Sequence, residues 1–362
     1  MSKASELANL IGNINMGGGG VNRNVIINGA MNVSQRGTQT NPSSNAYNLD
    51  RYAVQWAGIS PQLTISQDTS VPSGEGFSKS MKILTSNTQT PSAGQGAFMY
   101  QKVEGSNVYN CHFGTANAKT MTLSFWVKSS KIGTYSVAFI NNGFDRTLLK
   151  EYSISSADTW EKKTITFTGD TSGTWVTDNT IGLAVYFNLS NGDGSNTSAT
   201  VDSWAGANNY LGSQNQVNLW DASGATWYIT GIQVEIGQNA TEFESEPFER
   251  TLAKCQRYYQ RWQAAENYDQ VCNGAMHTDT KFTGVYHFAT EMRADPTLNV
   301  DGTYKVLAQN GDMNASGFGL ERANKMNIAI TCDTSDSNRV GNAGNLRAGA
   351  DSDAYIEFIS EL

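Results

Sequence analysis

The chain has 362 residues and a formal net charge of −8, with 39% hydrophobic and 16% charged residues. That length suits about two or three domains, and 8 Trp, 15 Tyr and 14 Phe provide more core than a disordered chain carries. The acidic balance argues against a general phosphate-backbone binder, and no stretch approaches the ~18 apolar residues of a membrane span.

Residues 3–14 place Leu7, Leu10, Ile11 and Ile14 on one stripe at helical spacing. Four glycines at 17–20 follow, which no regular element favours. Residues 1–20 therefore read as a short helical or extended anchor peptide and a glycine linker. A stripe this small docks on something else; a frayed terminus is the plain alternative. MSKASELANLIGNIN has no continuous apolar segment of the signal-peptide kind.

Residues 21–46 read as a β hairpin or connector. Val25, Ile26 and Ile27 are β-branched, Asn28-Gly29 is a hairpin-type turn, and Met31 and Val33 alternate after it. Residues 47–246 alternate short strands with polar turns. In MTLSFWVKSS, Met121, Leu123, Phe125 and Val127 share one face, and Ser124, Trp126 and Lys128 the other. TYSVAFI, TWEKKTITFTGD, IGLAVYFNL and TWYITGIQVEIG repeat the theme. Strands at this spacing, with no helical stretch between them, predict an antiparallel jelly-roll sandwich in an all-β chain.

Near 247 the pattern changes. Glu246, Pro247 and Glu249 suit a helix start. Leu252, Cys255, Tyr259 and Trp262 then share one helical face, opposite Arg250, Lys254, Arg257 and Arg261. The spacing predicts a linking helix over 247–266, with its aromatic face buried at a subunit or domain interface and its basic face wet. A nucleic-acid surface would interleave bases and aromatics on one open face, so nucleic acid is not an expected partner. Residues 267–362 return to β, with long polar loops within 303–354, where recognition on a rigid scaffold is expected.

No HExxH, GxSxG, P-loop or GxGxxG occurs. His277 and His287 stand ten apart without visible partners, and Asp193, Asp202 and Asp221 lie in polar loops. NGDGSNTSATVD lacks the regular spacing and terminal Glu of a calcium loop. Cys111, Cys255, Cys272 and Cys332 form no CxxC pair and read as free buried thiols, which fits cytoplasmic synthesis. No catalytic residue, metal or cofactor is expected. Aromatics are the better ligand candidates, because an exposed ring stacks on a sugar at small entropic cost. They are Trp126 on the polar strand face, and Trp204, Tyr210 and Trp220 in the loop before the last sandwich strand.

Three motifs carry a resemblance. NRNVIINGAMNVSQRGT followed by LDRY is similar to the opening of a family of bacteriophage tail and fibre proteins, with Tyr52 where Trp is common. IQVEIGQNATEFESEPFERTLAKCQRYYQRW resembles a junction of phage tail fibres and related virion proteins, of the form "VQLExGxxATxFExRpxxxELxxCxRYY", with Ser245-Glu246 replacing the Arg-hydrophobic step. YHFATEMRADPTL resembles their distal β domain. The order TLSFWVK, TWEKKTITFT, WYITGIQVEIG also resembles jelly-roll carbohydrate-binding modules. The resemblance implies a tail-fibre or receptor-binding virion protein. It would attach to other virion proteins through Leu7, Leu10, Ile11 and Ile14, assemble as a homotrimer, and bind host cell-surface glycan or protein. The alternatives are a head fibre, decoration or collar protein, a secreted carbohydrate-binding protein, and a polysaccharide-degrading tailspike. The apolar stripes, too small to fold alone, predict a homo-oligomer: sedimentation at micromolar concentration is expected to give a multiple of 39.2 kDa, and a monomer refutes this.

Overall fold

A computed structural model describes residues 3–15, 22–192, 197–198, 202–206, 211–309, 311–322, 324–335 and 340–362. Tyr210, Asp193, the glycines at 17–20 and the side chain of Ile14 lie outside the described residues. The chain divides into two compact units, residues 1–251 with Leu362, and residues 252–361.

The first unit is a sandwich of two antiparallel sheets. One runs from Gln39–Thr40 through Leu63–Asp68, Ser80–Thr85, Thr226–Ile236 and Met121–Ser129 to Glu161–Phe167. The other runs from Trp204–Gly206 through Arg146–Ile154, Gly133–Ile140, Ile181–Asn191, Gly96–Glu104 and Ala53–Ala57 to Ala46–Tyr47. This is the expected jelly-roll type of fold. The period of two decides what is buried: Met121, Leu123, Phe125 and Val127 are each 0% exposed. Phe125 meets Phe187 edge-on at 5.2 Å and Tyr152 at 5.0 Å, joining the two sheets.

Residues 22–35 belong to this sandwich and form no hairpin. Gln39–Thr40 joins one sheet and Ala46–Tyr47 the other, so they never pair with each other. Upstream, Asn28 and Met31 take φ of 59° and 58°, which interrupts an extended strand. The segment is laced to strand Thr226–Ile236 instead. Val25 N donates to Val234 O at 3.0 Å, and Ile232 N to Gly29 O at 3.0 Å. The Asn24 side chain accepts from Val234 N at 3.0 Å and donates to Ile232 O at 2.9 Å. Gly29 is required here, because a Cβ would collide with the Ile232 carbonyl.

Beneath the seam lies Glu235, 0% exposed. Its carboxylate accepts from Thr241 N at 2.8 Å, from Thr241 Oγ1 at 2.8 and 3.0 Å, and from Gln233 Nε2 at 2.9 Å. Gln233 Oε1 accepts from Glu244 N, whose carboxylate accepts from Asn22 N and Asn24 N at 2.5 and 2.9 Å. The first two sequence motifs are thus the two sides of one hydrogen-bonded seam.

The second unit contains a closed antiparallel barrel, in the order Gln270–Met276, Lys281–His287, Asn327–Thr334, Gly311–Glu321, Tyr304–Ala308 and Ala343–Ala348. Phe282, Val306, Ile328, Ile330 and Leu346 are fully buried in its core. A three-stranded sheet, Tyr259–Gln263, Tyr355–Ile359 and Thr297–Asp301, adds Ile356 and Phe358 to that core.

The helix expected over 247–266 is Phe248–Gln256 alone. From Tyr259 the chain pairs with Tyr355–Ile359, because its β-favouring aromatics complete a sheet that a longer helix would leave open. Gln260 Nε2 caps the helix end at Gln256 O, 3.1 Å, and also reaches Thr290 O at 2.8 Å. Arg293 N donates to Arg257 O at 2.7 Å, so the RYY and EMR motifs also meet in space. Tyr259 and Trp262, three apart on a strand, face opposite sides and share no stripe with Leu252 and Cys255. Cys255 is buried and Leu252 half-buried. The Tyr259 hydroxyl bonds Glu357 at 2.5 Å, and Trp262 packs 6.3 Å from the Tyr304 ring. Arg261 is not wet: it lies 3.8 Å from the Tyr355 ring centroid and 3.7 Å from Glu357.

Thr241→Val leaves the buried Glu235 carboxylate with fewer donors, and is expected to cost about 2–4 kcal/mol in urea melts. Arg250→Ala, on a 51% exposed side chain 3.7 Å from Glu246 and bonded to Asn22 Oδ1 at the seam's exposed edge, is expected to cost about 1 kcal/mol or less. Equal losses refute the seam.

Candidate functional site

The sandwich has two outer faces. On the face of the sheet containing Ile181–Asn191, Phe98, Tyr100 and Tyr186 form a buried cluster with Ala138, Ile140 and Leu149, and Tyr100 stacks on Tyr186 at 4.8 Å. Beside it, segment 211–218 lies on the sheet. Asn188 Nδ2 donates to Leu211 O at 3.2 Å, Ser213 N to Ser136 Oγ at 3.2 Å, and Ser136 Oγ to Gln216 Oε1 at 2.8 Å. Ser213 Oγ bonds Glu151, and Gly212 packs so close to Asn188 that a Cβ would collide with it.

The opposite outer face is built differently. A cleft of about 470 Å³ is lined by Trp126, Phe77, Phe243, Ser124, Lys162 and Glu75. Strand alternation sends Ser124, Trp126 and Lys128 outward, and register sets Lys162 beside Trp126. One wall depends on a bulge between Thr230 and Gln233, where Gly231 takes φ +64°. A Cβ there would come within 2.6 Å of Phe77, so the glycine lets that ring lie against the sheet. Phe77 meets Phe243 edge-on at 5.0 Å.

Next to Trp126 on the same face, Lys128 Nζ lies 4.1 Å from the Tyr228 centroid and 5.5 Å from that of Trp160. Lys82 Nζ lies 5.5 Å from the same Tyr228 ring and 3.8 Å from Asp68. Burial among the rings pushes the Lys128 pKa below the usual lysine value, against the opposing pull of Asp68 and Asp158. Aromatic walls, the exposed Lys162, the half-buried Lys128 and neutral polar groups can stack on a ring-shaped polar ligand and hydrogen-bond its edge.

Of the sequence candidates among the described residues, Trp126 alone is half-buried in this cleft. Trp220 is 0% exposed in the core, on the short turn Leu219–Asp221, and cannot stack on a ligand. Trp204 is held by Thr168 O at 2.8 Å and packs edge-on to Trp175 at 5.5 Å. The sequence reading missed Phe77, Phe243, Trp160 and Tyr228. The alternation of TWYITG carries a signal for Tyr228; nothing local carries one for the two phenylalanines, which the bulge brings together.

Other chemistry is constrained. Burial pushes the thiols of Cys111, Cys272 and Cys332 up to about 12, so they stay protonated, and all four cysteines are buried. Asp202 pairs with Lys150 at 2.7 Å and Asp221 with Lys131 at 2.6 Å. Among the described residues no group of three or more His, Cys, Asp or Glu is placed to hold a metal ion, and no helix is long and apolar enough to cross a membrane. On helix Lys3–Asn15, Leu7 and Ile11 are exposed and Leu10 is half-buried.

No protein-family model matches the chain, and no curated protein sequence does. Solved structures similar to it include the enzymatically active domain of bacteriophage CBA120 tailspike protein 4, at 15% identity and TM-score 0.33, over 59% of this chain and 21% of that one. The chain thus spans about a fifth of that domain's length. A CBM4 module is similar at 16% identity and TM-score 0.32, over 58% of this chain and 97% of its own. TmCBM61 bound to β-1,4-galactotriose is similar at 9% identity and TM-score 0.29, over 59% and 99%. Likeness this distant does not transfer what those proteins bind.

Trp220→Ala is expected to cost about 3–5 kcal/mol, against about 1–1.5 kcal/mol for the half-buried Trp126→Ala. Denaturant melts check the order, and its reversal refutes the placement of the cleft residue.

Proposed function

We propose that this chain is a virion attachment protein of a tailed bacteriophage, of the tail-fibre or receptor-binding type, that binds a host-surface glycan without cleaving it. The carrying observation is the open aromatic and polar cleft around Trp126, on the outer sandwich face opposite segment 211–218. The virion assignment rests on the sequence motifs. In this reading Leu7 and Ile11, exposed on the N-terminal helix, attach the protein to other virion proteins, and the assembly is a homotrimer. Recognition sits on the sandwich face rather than on the loops of 303–354, because the aromatic platform is there.

Labelled protein is expected to decorate susceptible bacteria and not resistant ones. Trp126→Ala is expected to lose at least tenfold in affinity, the order of one lost stacking contact with its desolvated surroundings, while its melting temperature falls by only about 2–6 °C. Reducing-end release from host polysaccharide is expected to remain at background over hours. Steady release overturns the non-cleaving reading. Absence of cell binding, with antibody labelling intact particles along the head, replaces attachment with a decoration role.

A further inference from the structure

The cleft does not stand alone on its sheet. Trp126 and Lys128 are two residues apart on one strand and point to the same side, a separation of about 7 Å, close to one sugar residue of a chain. Across the neighbouring strands lie Lys162, in register with Trp126, and Lys82, in register with Tyr228. Three lysines therefore share one small face of a chain whose formal net charge is −8.

Their counter-charge is incomplete. Lys82 has Asp68 at 3.8 Å. Neither Lys128 nor Lys162 has a carboxylate within 4 Å among the described residues. Lys128 is held by Ser70 Oγ at 2.6 Å and by the faces of Tyr228 and Trp160. Lys82 leans on the same Tyr228 ring, so two like charges are set around one aromatic, an arrangement that a bound anion relieves. Glu75 lies in the cleft with Phe77, and Glu242 with Phe243. Asp68 and Asp158 also act on Lys128, but from beyond ion-pair distance, so the lysines beside Trp126 are only partly neutralised, whereas carboxylates line the Phe77 and Phe243 wall.

Resting on the glycan-binding reading above, we propose that the ligand is an acidic glycan: one ring stacks on Trp126, and an anionic substituent on that ring or the next is met by Lys162 and Lys128. Lysine is a point charge without the fork of arginine, so carboxylate and phosphate substituents satisfy it alike.

Affinity electrophoresis of the full chain tests this with matched polymers: polygalacturonate against its methyl ester, dextran phosphate against dextran, and poly-L-glutamate as charge without sugar. Stronger retention by an acidic polymer than by its neutral twin, weakening as salt rises, is expected. Lys162→Gln, at an exposed side chain, is expected to weaken that retention about tenfold, the loss of one charge-assisted hydrogen bond. Lys128→Gln is expected to act in the same direction, and Lys305→Gln on the barrel to leave retention unchanged. Equal retention by acidic and neutral twins overturns the acidic-ligand inference while leaving glycan binding standing. Equal retention by poly-L-glutamate also overturns it, as simple ion exchange. Retention by none of the sugars removes both readings.

Discussion

The buried carboxylate of Glu235 is the constraint around which the sandwich closes. A charge in that position is tolerated only when its oxygens are met by donors, and those donors stand within six residues of it. Thr241 turns back after the last strand to supply two of them, and Gln233 supplies a third. Through Gln233, Glu244 is set to receive the backbone of Asn22 and Asn24. Residues 22–35 form no hairpin; their polar groups are assigned to Thr226–Ile236, Gln101, Asp50 and Gln67.

That closure shapes the candidate site. Turning the chain back at Thr241 brings Phe243 over the outer face, where it meets Phe77. The bulge at Gly231 lies in the same strand as Glu235 and opens the space that Phe77 fills. The wall of the cleft is thus a by-product of the closing seam, while its floor, Trp126, follows from simple strand alternation. The other outer face is occupied by the protein's own aromatic cluster and by segment 211–218, whereas the Trp126 face carries the cleft.

The second unit uses the same economy of motifs. Arg257 and Arg293, from two separate motifs, meet through the backbone bond that fixes the chain leaving the helix. Gln260 then caps the helix and bonds the Thr290 carbonyl at once. Motif residues that look like functional signatures in the sequence are here largely occupied in holding segments together.

Local pattern was enough for the all-β class, the inward set Met121, Leu123, Phe125 and Val127, the outward Trp126, and the start of the linking helix near Pro247. Each depends on a period of two or on a local start signal. The end of that helix was not legible, because Tyr259 and Trp262 fit an apolar helical stripe as well as a strand; the open edge of Tyr355–Ile359, about a hundred residues away, decided it. Nor was the burial of Trp220, since a tryptophan in a polar loop gives no sign of which core it enters. The pairing of Phe77 with Phe243 likewise depends on a bulge and a turn that bring distant residues together. Sequence by itself fixes which side of a strand a residue takes. Only the tertiary structure decides which sides are covered, because covering is done by segments remote in the chain.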